Sequence, residues 1–159
     1  MMYGGDYNPE QWPEEIWQED MKLLKEAHID TLTLNVFSWA ALQPSEEEYN
    51  FEKLDKIMKL VKENGFQVVL ATSTGAHPAW MAKKYPDILA LTNNGQNIYG
   101  ARQNMDITHA GYRFHCERVI RAIMEHIKDV PHIIGFQLDN ETKSYGTAGP
   151  RAQAMFIDY

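Results

Sequence analysis

The sequence predicts an α/β fold of parallel strands joined by crossover helices, and three observations carry that prediction. Short apolar runs alternate with longer stretches whose apolar residues recur every three or four positions, from one end of the 159 residues to the other. No linker or low-complexity segment interrupts the alternation. The run Ile133-Ile134-Gly135 reads as a strand buried on both faces, and it leads directly into Phe136-Gln137-Leu138-Asp139-Asn140-Glu141. Among parallel strands the reacting groups lie just past the carboxyl ends, which is where Asn140 and Glu141 fall. A surface turn with two polar residues is the plainer reading of the same hexapeptide.

Taken in order, Tyr3 to Asp6 makes a short first strand. A helix is expected to begin near Pro13, a residue suited to a first helical turn, and to bury Ile16, Trp17, Met21, Leu24 and Ala27 along one stripe. Thr31 to Phe37 is the second strand. A turn through Gln43-Pro44-Ser45 and an acidic loop lead to a helix with Leu54, Ile57, Met58 and Val61 on one face, stopped by Asn64-Gly65. Gln67 to Ala71 is the third strand. The longest helix runs from about Thr108 to Lys128, with Tyr112, Cys116, Val119, Ile123 and Ile127 inward and Glu117, Arg121 and Glu125 outward at four-residue spacing. It delivers the chain to the strand before Glu141, and Ala148 to Tyr159 opens a fourth helix.

The count stops at four strand-helix units. An eight-fold barrel takes about 250 residues, so the sequence is expected to cover about the first four βα units of a (β/α)8 TIM barrel within a longer protein. A free-standing half would expose a parallel strand edge and part of the barrel interior, inviting association with another chain.

Fifteen basic against 22 acidic side chains leave a formal charge of −7, with no lysine or arginine block to neutralise successive phosphates, so nucleic acid is not an expected partner. Cys116 is alone, which excludes a disulfide within the chain and any cysteine-based zinc cluster. It lies among apolar helical positions, where a buried thiol is the commoner reading, and fits a reducing compartment. The start, Met1-Met2-Tyr3-Gly4-Gly5-Asp6, has neither a basic head nor an apolar stretch, and no run approaches the ~20 apolar residues of a membrane helix. The expectation is a soluble, cytoplasmic chain with no membrane partner.

Gly5-Asp6-Tyr7-Asn8-Pro9-Glu10-Gln11-Trp12-Pro13 resembles the opening of glycoside hydrolase family 42, the β-galactosidases of the large clan of (β/α)8 retaining glycosidases. Further matches follow in order: Val36-Phe37-Ser38-Trp39-Ala40, then Ala71-Thr72-Ser73-Thr74-Gly75-Ala76-His77-Pro78-Ala79-Trp80, then Gly100-Ala101-Arg102 ahead of Asp139-Asn140-Glu141. Together they span nearly the whole chain. The resemblance implies that residues 1–159 are the amino-terminal half of a glycosidase barrel acting on β-galactosides. It implies Glu141 as general acid/base, Asn140 as partner of the sugar's 2-hydroxyl, and Arg102 as a donor lining the same subsite. It also implies a homo-oligomer, a trimer.

The chemistry explains those residue types. Breaking a glycosidic bond needs a proton on the leaving oxygen, and a carboxylic acid holds one near neutral pH when a neighbouring carboxylate raises its pKa. In the second half-reaction the same residue takes a proton from water. From position alone, Arg102 reads equally as a surface cation. Trp80, Trp39 and Phe37 read as packing rather than as sugar platforms, and His77 as structural.

Many relatives hold a structural zinc with four cysteines, one near the position of Asp106 and three beyond the acid. This chain has Asp106 in one place and Tyr145-Gly146-Thr147-Ala148-Gly149-Pro150 in the other, so no metal or other cofactor is expected. Gln43 stands where many relatives have glutamate. The retaining mechanism also requires a second carboxylate about 5 to 5.5 Å from the first, and in this clan it lies on the seventh strand, outside the 159 residues. Asp6, Asp106 and Asp139 are unpersuasive local substitutes. A contrasting expectation is therefore a catalytically inactive fragment that binds sugar weakly or self-associates. A nucleotide-binding domain is disfavoured, since no glycine fingerprint follows a strand.

Overall fold

The computed structural model describes residues 1–100, 103–141, 146 and 148–159. Four strands pair in parallel in the order β1 (Gly4–Asp6), β2 (Thr31–Leu34), β3 (Gln67–Ala71) and β6 (Ile133–Gln137). Between them come α1 (Trp17–Glu26), the short α2 (Trp39–Leu42), α3 (Glu52–Glu63), the short α4 (Ala79–Lys84) and α5 (Ala110–Ile127), with α6 (Pro150–Asp158) last. A small antiparallel hairpin, β4 (Leu91–Thr92) and β5 (Gly95–Gln96), lies in the excursion between β3 and α5.

Residues in register on adjacent parallel strands share a face, so Leu32 beside Val68 and Leu34 beside Leu70 form one apolar surface. They join a buried cluster with Met21, Leu54, Ile57, Val61, Val119 and Ile123 from α1, α3 and α5. Each such side chain contributes about 1.5–3 kcal/mol on removal from water, which is what holds helices of modest intrinsic propensity against the sheet.

Two helices end by the same device. His28 and Gly65 adopt left-handed backbones, φ 59° and 82°. His28 N–H donates to the Lys25 carbonyl and Ile29 N–H to that of Leu24; Gly65 N–H donates to Lys62 and Phe66 N–H to Val61, all at 2.9–3.1 Å. These are Schellman caps, and each reverses the chain directly into a strand.

Several boundaries differ from the sequence reading. The first helix starts at Trp17 because Glu14–Ile16 forms a separate 3₁₀ turn, leaving Ile16 and Ala27 exposed. The second strand stops at Leu34, since Asn35 turns left-handed at φ 69°. Within α5, His115 takes the fully buried position and Cys116 is half-buried, its thiol pushed up to about 12 by desolvation. α6 begins at Pro150, a proline in its first turn, rather than at Ala148. β6 is not covered on both faces: Ile134 and Phe136, which share one face, and Leu138 just beyond the strand are exposed, so that face stands open among the described residues. Among those residues no helix is long and apolar enough to cross a membrane.

Candidate active site

The carboxyl ends of β2, β3 and β6 form one rim, and the backbone there is unusual. Asn35, Ser73 and Glu141 all have positive φ, 69°, 62° and 47°. A non-glycine residue in that region costs about 1–3 kcal/mol and persists only where its surroundings hold it. At the first two positions the holding groups are visible. Asn35 Nδ2 donates to the Ala71 carbonyl at 3.0 Å, and Ser73 Oγ donates to the Asn35 carbonyl, so the exits of β2 and β3 are cross-tied.

The exit of β6 is tied to the same loop. Thr72 N–H donates to the Gln137 carbonyl at 3.0 Å and Thr72 Oγ1 to that of Leu138 at 3.1 Å. Asp139 Oδ1 accepts from the Asn140 N–H at 2.8 Å, the local turn bond that an aspartate readily offers. Asn140 is 7% exposed. Its Oδ1 accepts from Gln137 Nε2 at 3.2 Å, while its Nδ2 is buried without a hydrogen-bond partner among the described residues. A buried amide donor left unpaired costs about 1–3 kcal/mol, an arrangement suited to receiving a ligand oxygen. Glu141 follows immediately and is exposed. A shallow cleft, with room for about one water, is lined by Val36, Thr72, Ser73, Gly75, Asp139 and Asn140 among others.

Of the residues singled out in the sequence, Asn140 and Glu141 are thus adjacent at the rim, and Arg102 lies outside the described residues. The neighbour of Arg102 is informative. Gln103, left-handed at φ 56° and 6% exposed, donates its N–H to the Gly75 carbonyl at 3.2 Å and its Nε2 to the Asn140 carbonyl. It bridges the β3 and β6 exits. No periodicity or motif signals this role. Tyr112, expected only as an inward helix residue, also reaches the rim, its hydroxyl donating to the Thr74 carbonyl at 2.8 Å.

The aromatic residues read as packing have that role where contacts are visible. Trp39 is fully buried, its Nε1 donating to Gln43 Oε1 at 2.8 Å, and Trp80 Nε1 donates to the Gln43 carbonyl at 2.9 Å. Gln43 also donates from Nε2 to the Glu46 carbonyl at 2.9 Å, so this site needs an acceptor and a donor on one side chain. His77 is buried with its Nε2 unpartnered among the described residues, and burial lowers its pKa to about 4, keeping the ring neutral near pH 7. Asp106 is committed to Arg151 at 2.8 Å and to Thr108, and Asp6 is exposed at the β1 edge. Glu10, leaving β1, has its carboxyl held above the usual range by burial.

Parallel βα units with polar and acidic side chains gathered at their carboxyl ends define a piece of a (β/α)8 barrel. The family profile described as β-galactosidase, glycoside hydrolase family 42, matches residues 6–159, and the chain belongs to that family. It is 48% identical over 145 residues to β-galactosidase BgaA of Planococcus sp. (strain 'SOS Orange'), covering 90% of this chain and 21% of the relative. It is 42% identical to β-galactosidase LacZ of Lactobacillus acidophilus, covering 88% of this chain and again 21% of the relative. Among solved structures, the β-galactosidase from Bacillus circulans sp. alkalophilus superposes with a TM-score of 0.88 at 42% identity, over 93% of this chain and 22% of that one. The cold-adapted β-galactosidase from Rahnella sp. R3 gives 0.93 at 32% identity, over 99% of this chain and 24% of that one. The chain therefore spans about a fifth of the length of the curated relatives it matches.

Proposed function

We propose that residues 1–159 form the amino-terminal half of the catalytic barrel of a retaining glycoside hydrolase that removes terminal β-D-galactosyl residues from β-galactosides. Glu141 is the general acid/base, protonating the leaving oxygen and then activating water. Asn140 offers its unpaired Nδ2 to the 2-hydroxyl of the sugar, a bond that strengthens as positive charge develops on the ring. Arg102 lines the same subsite. The nucleophile is a second carboxylate supplied from outside these residues. The observation that carries the reading is the pairing of a buried, unsatisfied asparagine amide with a carboxylate at a strand's carboxyl end, in a chain of this family.

Changing Glu141→Gln in a longer polypeptide that contains this sequence and hydrolyses aryl galactosides tests it. With a poor leaving group the rate is expected to fall about 10²- to 10⁴-fold, because the general acid is lost. A change of only a few fold would show that Glu141 is not the acid.

The exposed Ile134 and Phe136 on β6, with Leu138 just beyond it, favour a second reading for the chain on its own, a self-associating protein without catalysis. Light scattering on the 159-residue chain, with calorimetry against galactose, separates a monomeric sugar binder from a self-associating chain.

A further inference from the structure

Glu141 holds a left-handed backbone, and the groups that tie it upstream are Thr72, Gln103 and Asp139. The chain is also anchored downstream of Glu141. Beyond residues 142–145, the backbone at Gly146 packs so closely on Ala90 and Leu91 that an added Cβ would come within 3.0 Å of both. Ala148 N–H then donates to the Leu91 carbonyl at 3.0 Å.

Three residues later comes a cation shared by two carboxylates. Arg151 Nη1 lies 2.8 Å from Asp106 Oδ2 and Nη2 lies 3.3 Å from Asp87 Oδ2. Both carboxylates are themselves fixed. Asp106 Oδ1 accepts from Thr108 N–H and Oγ1, and Asp87 Oδ2 meets His109 Nε2 at 3.0 Å. His109 Nδ1 accepts from the Gly111 and Tyr112 N–H groups at the start of α5, which makes Nε2 the protonated nitrogen and the donor to Asp87. The arginine is thereby locked to the foot of α5 through a rigid, two-point geometry that a lysine cannot reproduce. Ala152 is the one buried residue of α6, while Met155, Phe156 and Ile157 are exposed.

We infer that Arg151 is a positioning residue for Glu141: its fork to Asp87 and Asp106 fixes the far end of the segment whose near end is the acid-bearing turn. The inference rests on the reading of Glu141 as the acid only for its consequence in catalysis, not for the clamp itself. Surface ion pairs are individually weak, but here the effect is local placement, and a displacement of about 1 Å in a catalytic group costs on the order of 10²-fold in rate.

Two measurements test it. In the 159-residue chain, Arg151→Ala is expected to speed amide hydrogen exchange at Glu141, Ala148 and Gln153 about 10-fold or more, leaving Val119 and Ile123 in α5 unchanged, with Arg151→Lys falling between. Unchanged exchange at those three amides, or equal acceleration in α5, overturns the clamp. In a galactoside-hydrolysing polypeptide that carries the sequence, Arg151→Ala is expected to lower kcat about 10- to 100-fold with KM within twofold. A raised KM at unchanged kcat, or no kinetic change, overturns the positioning role. Should Arg151→Ala not fold, Asp106→Asn, which weakens one arm only, takes its place in both assays. Full activity in Glu141→Gln would instead remove the acid assignment and leave the exchange result to decide the clamp.

Discussion

The two rims of the sheet use the same rare backbone conformation for different ends. At the amino-terminal rim, the left-handed His28 and Gly65 close Schellman caps, and the carbonyls of Leu24, Lys25, Val61 and Lys62 each accept an N–H from within the same turn. At the carboxyl rim, Asn35, Ser73 and Glu141 belong to no helix cap; Asn35 and Ser73 are held by partners distant in sequence, and the buried Asn140 Nδ2 beside Glu141 has no hydrogen-bond partner among the described residues. Local hydrogen bonding explains the first set. The second is strain imposed by the fold at the carboxyl ends of the strands, where barrels of this class gather their reacting groups.

The sharpest way to break this contrast is to remove the carboxylate of Glu141. Glu141→Gln should abolish most hydrolysis, as set out above, yet leave the urea midpoint of unfolding nearly unchanged, since the residue is exposed. A large loss of stability would place Glu141 with the caps rather than with the site.

Next in size is a pH effect centred on the same rim. The His77 pKa lies at about 4 in the fold, below the ordinary 6.5 because of burial, so the unfolded chain binds a proton first as pH falls. Stability is then full above about pH 6.5 and declines towards pH 4, by up to about 3 kcal/mol in total. Urea titrations at pH 7 and pH 5 measure it, and in His77→Gln this part of the dependence should vanish.

The caps supply the smaller tests. Gly65→Ala should destabilise by about 1–2 kcal/mol. A Cβ there meets nothing within 4 Å, so the whole cost is conformational. His28→Gly should stabilise by about 1 kcal/mol in the same assay, the converse change at the equivalent position of α1. If His28→Gly weakened the protein, the imidazole would have a role beyond the cap.

How far the sequence could be read depended on the range of the interactions involved. The third strand, Gln67–Ala71, and the Asn64-Gly65 stop were legible, because a compact apolar run and a glycine at a helix end are local signals. Ile16 misled: its spacing fits the helical stripe, but Pro13 sets up a 3₁₀ turn that puts it in solvent. α4 and the β4–β5 hairpin were not foreseen, since elements of two to six residues carry too little periodicity. At the rim, the Asn140-Glu141 pair was legible from its place after an apolar strand. Gln103 was not, because its partners Gly75 and Asn140 are far away along the chain and nothing in its surroundings marks it.

By itself the sequence determined the order and kind of the main βα units and the strand end that carries Asn140 and Glu141, since 3.6- and 2-residue periods and helix stops act over a few neighbouring residues. Only the tertiary structure decided that Gln103 would meet Asn140, that Ser73 would meet Asn35, and that Arg151 would fork onto Asp87 and Asp106. Those contacts depend on how loops return across the rim. Many loop paths satisfy the same local preferences, and packing of the assembled strands and helices selects one of them.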